Sequence, residues 1–218
     1  MIRKVTIIPT ITTADPTVYR AQMERINLFS HHVHIDVTDG VFAKNPTIRL
    51  GDVIWPQGWQ ADLHLMVTEP SKYVGDVIRK MPSLCIFHAE VQEDLTPSFT
   101  ALKEKGIKTG LVLLQSTFPG AVKKYIEMVD HVLIFAGQLG VQGGKADMMQ
   151  MEKIALIRAI KPDVEIGWDG GANMTNIRAL AHADLDVINV GSALAKAENP
   201  KAVYEEMVAE IDKSGVML

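Results

Sequence analysis

Eight short runs rich in β-branched and apolar residues recur along the 218-residue chain, and each is followed by a longer amphipathic segment. The runs read as strands over 5–9, 32–37, 62–67, 84–88, 109–114, 132–135, 164–168 and 187–190. Helical periodicity fills the intervals at 17–27, 71–80, 95–105, 120–128, 148–160, 174–181 and 200–213, with a short piece near 49–55. Eight such units in 218 residues, about 27 each, predict a (β/α)8 TIM barrel. An open doubly wound sheet is the competitor. It is the weaker one, because eight parallel strands rarely stay open and no Gly-rich dinucleotide turn follows the first strand.

Local chemistry supports several of these boundaries. Asp15-Pro16 and Asn199-Pro200 each place a capping side chain before a proline whose missing N–H costs nothing at a helix start. Gly106 is read as a left-handed helix stop, and Pro162 closes the helix ending near Ile160. No linker or low-complexity tract divides the chain, so a single domain over 1–218 is expected.

Composition excludes several function classes. A net charge of −4 with scattered acidic residues is poor material for gripping nucleic acid. No apolar run approaches the ~18 residues of a membrane span. The N-terminal apolar run, soon interrupted by threonines and Asp15, is too short for a secretory signal, and a cytoplasmic location is expected. The one cysteine, Cys85, lies in an apolar strand and reads as a buried core thiol.

Chemistry enters through the alternation within strands. In His32-Val-His34-Ile-Asp36-Val-Thr38, the apolar residues fall on one face and the ionisable ones on the other. Asp62 and His64 repeat this in the third strand, Glu165 and Asp169 in the seventh. In a parallel barrel the apolar faces pack on the outer helices, so the ionisable faces point to the axis. His34, Asp36, His64 and Asp169 then converge at the C-terminal mouth, where barrels keep their sites. Two imidazoles and two carboxylates suit one divalent transition metal such as Zn, Mn or Fe, and the two negative charges balance the ion. A hydrogen-bonded interior network, or the polar face of half-exposed strands, would show the same pattern. His31, His131 and His182 read as surface or structural residues, while His88, beside Glu90, is a candidate supporting residue.

Two segments read as anion sites. Residues 137–145 carry Gly137, Gly140, Gly143 and Gly144, a loop able to present backbone N–H groups to a phosphate or to act as a lid. Asp169-Gly170-Gly171 and Gly191-Ser192 occupy the loops after strands seven and eight, where barrels commonly hold a phosphate.

Taken in order, these residues resemble the ribulose-phosphate 3-epimerase family and its allulose-phosphate relatives. His34-Ile-Asp36-Val-Thr-Asp39-Gly40-Val-Phe42, with Asn45, is similar to H-I-D-V-M-D-G-x-F. His64-Leu-Met66-Val, Phe87-His88-Ala-Glu90, Asp169-Gly-Gly171 and Val190-Gly-Ser192-Ala follow in family order. The resemblance implies a ribulose-phosphate-binding type of barrel and a homo-oligomer. It makes His34, Asp36, His64 and Asp169 the metal ligands, and Asp36 and Asp169 the acid/base pair. It also implies substrate contacts from Thr10, His64 and Met66, and phosphate contacts from Gly171, Gly191 and Ser192.

The chain departs from the family at Thr10 (for serine), at Thr38 and Phe135 (for methionines that wall the site), and in the 138–145 loop. The expected reaction is metal-dependent epimerisation at C3 of a ketose phosphate, foremost D-ribulose 5-phosphate to D-xylulose 5-phosphate. The rivals are 3-epimerisation of a six-carbon ketose 6-phosphate such as allulose 6-phosphate, a phosphosugar lyase, and a non-catalytic sugar-phosphate binder. The related lyases carry D-x-K-x-x-D, and this chain has no lysine in Asp36-Val-Thr-Asp39.

Overall fold

The computed structural model describes residues 4–139 and 143–213. All eight expected strands form: β1 (Thr6–Ile11), β2 (His32–Thr38), β3 (Gln60–Met66), β4 (Leu84–His88), β5 (Lys108–Leu113), β6 (His131–Phe135), β7 (Glu165–Asp169) and β8 (Val187–Val190). They pair in parallel in chain order, and β8 closes on β1. The chain is a (β/α)8 barrel and not an open sheet.

The helices are α1 (Pro16–Ile26), α2 (Val74–Lys80), α3 (Thr96–Lys103), α4 (Lys123–Met128), α5 (Glu152–Ile160), α6 (Ile177–Ala181), α7 (Ser192–Ala195) and α8 (Pro200–Ile211). Capping follows the sequence reading. Asp15 accepts from the Thr17 amide at 2.7 Å, Asn199 accepts from Ala202, and Gly106 ends its segment at φ +75°.

Several helical expectations are corrected. The piece near 49–55 is one 3-10 turn, Leu50–Asp52. Segments 71–80, 120–128 and 148–160 open as 3-10 turns at Pro70–Lys72, Pro119–Val122 and Met148–Met151. The 174–181 helix starts only at Ile177. Asn173 and Asn176 spend their side-chain oxygens on the amides of Thr175 and Asn173, and such local bonds compete with the helix. The short α7 was not read from the sequence.

Alternation sorts the strand residues as expected. Val33, Ile35 and Val37 join Leu63, Leu65, Ile166 and Trp168 in the core between barrel and helices, packed with Met23, Phe99, Ile157 and Met207. Cys85 lies in that core, fully buried. The barrel interior itself is divided. Leu84, Ile86, Val112, Leu133 and Phe135 of β4–β6 form an apolar cluster, whereas β2, β3, β7 and β8 contribute His34, Asp36, Asp62, His64, Asp169 and Asn189, all buried. At the opposite end from the mouth, buried polar groups are paired locally, His32 with Asp62 at 2.7 Å and His131 with Glu165 at 2.8 Å. His131 is thus structural, while His31 and His182 are exposed. Among the described residues no helix is long and apolar enough to cross a membrane.

Candidate active site

The strand register aligns the four candidate ligands. Asp36 sits beside His64 across the β2–β3 pair, His34 lies next to Thr10 of β1, and Asp169 ends β7 beside Phe135. One donor atom from each of His34, Asp36, His64 and Asp169 can be chosen so that all lie within 4.8 Å of one another. His64 Nδ1 is 3.0 Å from Asp36 Oδ1 and 3.8 Å from Asp169 Oδ2, and His34 Nε2 is 3.4 Å from Asp36 Oδ1.

This set passes a physical test as a metal centre. Donors at about 2.1 Å from a common ion stand roughly 3.4 Å apart at tetrahedral angles, close to the spacings seen. His34 Nε2 is buried with no well-directed hydrogen bond, an orphan that a cation would satisfy. The Asn189 amide lies 3.1 Å from His34 Nδ1. The atom facing the ring is Nδ2; with the amide turned over, Asn189 Oδ1 accepts from the Nδ1–H and the Nε2 lone pair is left for an ion. That orientation also gives a partner to Asn189 Oδ1, which otherwise has none.

Electrostatics separate the two carboxylates. Burial opposes charge on Asp36, but hydrogen bonds and charge from His34 and His64 outweigh it and hold the carboxyl far below its usual range. Asp169 moves the other way, raised by burial and then by the charge of Asp36. Burial also works against a charge on His34, yet Asp36, with Asp169 and Asp62 behind it, raises its pKa on balance. Asp36 Oδ2 accepts from the Thr12 hydroxyl at 2.5 Å, which fixes the carboxylate's orientation.

Above the cluster lies a cavity of about 370 Å³, a volume suited to a small phosphorylated sugar. Thr10, Met66, Gly143, Gly144, Gly170, Gly171, Gly191 and Ser192 all line it, as do Asp36 and Asp169. Thr10 Oγ1 is buried there without a partner. His64 does not line the cavity. It is fully buried below it, within the donor cluster. Gly140 lies outside the described residues. Of the two wall substitutions, Phe135 does line the cavity. Thr38 does not, contrary to the sequence reading, because its hydroxyl donates to the Ala43 carbonyl and ties down the loop after β2.

The Gly170-Gly171 pair has a second cause. A Cβ at Gly170 would lie 2.2 Å from the Gly137 amide nitrogen, and one at Gly171 would lie 2.3 Å from that of Ala146. Both glycines have positive φ, so the pair lets Gly137 and Ala146 pack directly on the end of β7. Two site residues escaped the sequence reading, Thr12 and Asn189. Their signal was alternation: Thr12 follows Thr10 by two, and Asn189 is the lone polar residue of β8.

These features define a class: a closed parallel barrel with a buried His–Asp donor set for a divalent cation beneath a cavity at its mouth. The Ribulose-phosphate 3 epimerase family matches residues 6–195. The chain belongs to this family, and the protein is therefore an isomerase. It is 28% identical over 192 residues to ribulose-phosphate 3-epimerase of Schizosaccharomyces pombe, covering 85% of this chain and 84% of that one. To the cytoplasmic isoform of Oryza sativa it is 29% identical over 216 residues, covering 95% of each chain. Among solved structures, 3-hexulose-6-phosphate synthase from Salmonella typhimurium superposes with a TM-score of 0.72 at 12% identity, over 95% of this chain and 98% of that chain. A chain of Mycobacterium tuberculosis tryptophan synthase gives a TM-score of 0.72 at 16% identity, over 97% and 94%. At such identities these two structures speak for the barrel alone.

Proposed function

We propose that this isomerase interconverts D-ribulose 5-phosphate and D-xylulose 5-phosphate by proton transfer at C3, with Asp36 and Asp169 as the acid/base pair. The observation that carries the reading is their placement. The two carboxylates come from β2 and β7, strands separated by β8 and β1, and both line one cavity. Inverting a carbon centre requires a group on each face, one to take the proton and one to return it. One carboxylate held ionised and one inclined to keep its proton supply that pair, and their titrations belong to the pair rather than to either residue.

His34, Asp36, His64 and Asp169 would hold one divalent ion (Zn, Mn or Fe), whose Lewis acidity would stabilise negative charge on the ketone oxygen as C3 loses its proton. Thr12 holds the Asp36 carboxylate in orientation. Thr10 offers a hydroxyl to the sugar, and Met66 and Phe135 wall it from water. Gly143, Gly144, Gly170, Gly171, Gly191 and Ser192 gather where the phosphate would sit, so that binding energy remote from C3 orients the reacting carbon. The reading also carries a single-domain homo-oligomer in the cytoplasm, with no nucleic-acid or membrane partner.

Two observations weigh against the rivals. Among the described residues no lysine lines the cavity, which disfavours a lyase of the lysine-using kind. Thr38 does not line the cavity and its hydroxyl is bound to the Ala43 carbonyl, so one of the two wall changes that favour a six-carbon ketose is withdrawn. Protein loaded with Zn, Mn or Fe(II) and given D-ribulose 5-phosphate or D-allulose 6-phosphate tests this directly. The five-carbon substrate is expected to show a kcat/KM at least about tenfold higher, the scale of discrimination that a single extra carbon supplies. A preference for the six-carbon sugar would overturn the assignment.

A further inference from the structure

Beside the donor cluster a third imidazole is buried with no part in the chemistry above. His88 ends β4 and is fully buried, and its Nε2 lies 2.8 Å from His64 Nε2. Between two ring nitrogens at that distance one carries the hydrogen and the other accepts it. On its far side, His88 Nδ1 faces Glu90 Oε2 at 3.4 Å, and both atoms are buried with no well-directed hydrogen bond, so each is the other's nearest complement. The other Glu90 oxygen is committed: Oε1 accepts from the Leu114 amide at 2.9 Å and from the Thr117 hydroxyl at 2.5 Å. A backbone N–H can only donate, so Leu114 requires an oxygen at that position. The buried Lys153 holds the same corner, donating to the carbonyls of Leu114 and Gln115 at 2.6 and 3.1 Å.

We propose that His88 and Glu90 are positioning residues that fix the tautomer of His64, keeping its proton on Nε2 and leaving the Nδ1 lone pair free for the cation. This rests on the metal reading given above. The direction follows from the two ends. Glu90 presents only an acceptor to His88, so the His88 proton sits on Nδ1 and its Nε2 accepts. His64 then donates from Nε2, and Nδ1, which stands 3.0 Å from Asp36 Oδ1 within hydrogen-bond reach, exchanges that bond for the ion. A nitrogen ligand has to be unprotonated, so a relay reaching from the Leu114 backbone to His64 holds the ligating tautomer once an ion takes the place of the Asp36 hydrogen bond.

Glu90→Gln is the discriminating variant, because it changes almost no volume. Leu114 still demands an oxygen, so the new amide turns its NH2 toward His88 Nδ1. The proton on His88 is then displaced to Nε2, which donates to His64 and drives the His64 proton onto Nδ1. Zinc affinity, measured by chelator competition on metal-free protein, is expected to fall about 10- to 100-fold. The Co(II) absorption bands should change, with helical circular dichroism retained. His88→Phe should lose affinity likewise, whereas His88→Gln, which keeps an acceptor near Nε2, should stay within a few-fold of wild type.

Long-range ¹H–¹⁵N spectra of the zinc-loaded wild type read the tautomers without any variant. Protons on His64 Nε2 and His88 Nδ1 are expected, and the reverse pattern overturns the relay. Undiminished zinc affinity in Glu90→Gln overturns the relay alone. A wild type that binds neither Zn(II) nor Co(II) overturns the metal reading and the relay with it.

Discussion

Asp169→Asn is expected to lower turnover by about 10²- to 10⁴-fold, the range that a positioned general acid or base contributes. The substitution is nearly isosteric, and the residue sits at the end of β7 where Gly170 and Gly171 already set the backbone. Asparagine keeps a carbonyl oxygen for the donor cluster but cannot carry a proton to or from carbon. Exchange of the substrate's C3 hydrogen with solvent should fall with turnover, while circular dichroism and the melting transition still report a folded barrel. Asp36→Asn should behave in the same way, because either partner alone leaves one face of C3 unserved. The measurement is a coupled rate assay together with C3 exchange for each variant. Retention of more than about a tenth of wild-type turnover in either one contradicts the two-carboxylate account, since it would leave less than the smallest usual acid/base contribution.

Stripping the metal comes next in size. Treatment with a strong chelator is expected to reduce turnover by at least about 10³-fold, because Lewis-acid stabilisation of the charge developing as C3 loses its proton would be worth several kcal/mol. Zn, Mn or Fe(II) should restore it. Stability should follow the same course, since an ion that binds only the folded state adds about 2.7 kcal/mol at a hundredfold excess over its dissociation constant. His34 Nε2, and Asp169 buried beside the charge of Asp36, are the groups an ion would compensate. Chelated protein that keeps full turnover, or stripped protein that no divalent ion restores, would contradict the role given to His34, Asp36, His64 and Asp169.

Much of this was visible in the sequence because a parallel barrel writes its geometry as alternation. Val33, Ile35 and Val37 against His34 and Asp36 already separate the helix-facing side from the axis. The register then had only to bring Asp36 beside His64. What alternation does not encode is which neighbour a polar group finds. Thr38 has the right face to wall the cavity, yet its hydroxyl is taken by the Ala43 carbonyl across the loop. Asn189 and Thr12 gain their meaning only from His34 and Asp36, partners more than twenty residues away. The helix starts differ for a local reason, as side chains of Asn173 and Asn176 compete for the backbone. Gly170 and Gly171 read as a phosphate signature, and they are also a packing requirement set by Gly137 and Ala146.

NMR of the metal-loaded protein with D-ribulose 5-phosphate in D₂O tests the central claim most directly, because it follows product and proton together. Two aspartates that exchange their protons with solvent should yield D-xylulose 5-phosphate carrying deuterium at C3. Product that retains the substrate's own C3 hydrogen would contradict transfer between two carboxylates, and the absence of both product and exchange would contradict the epimerase assignment itself.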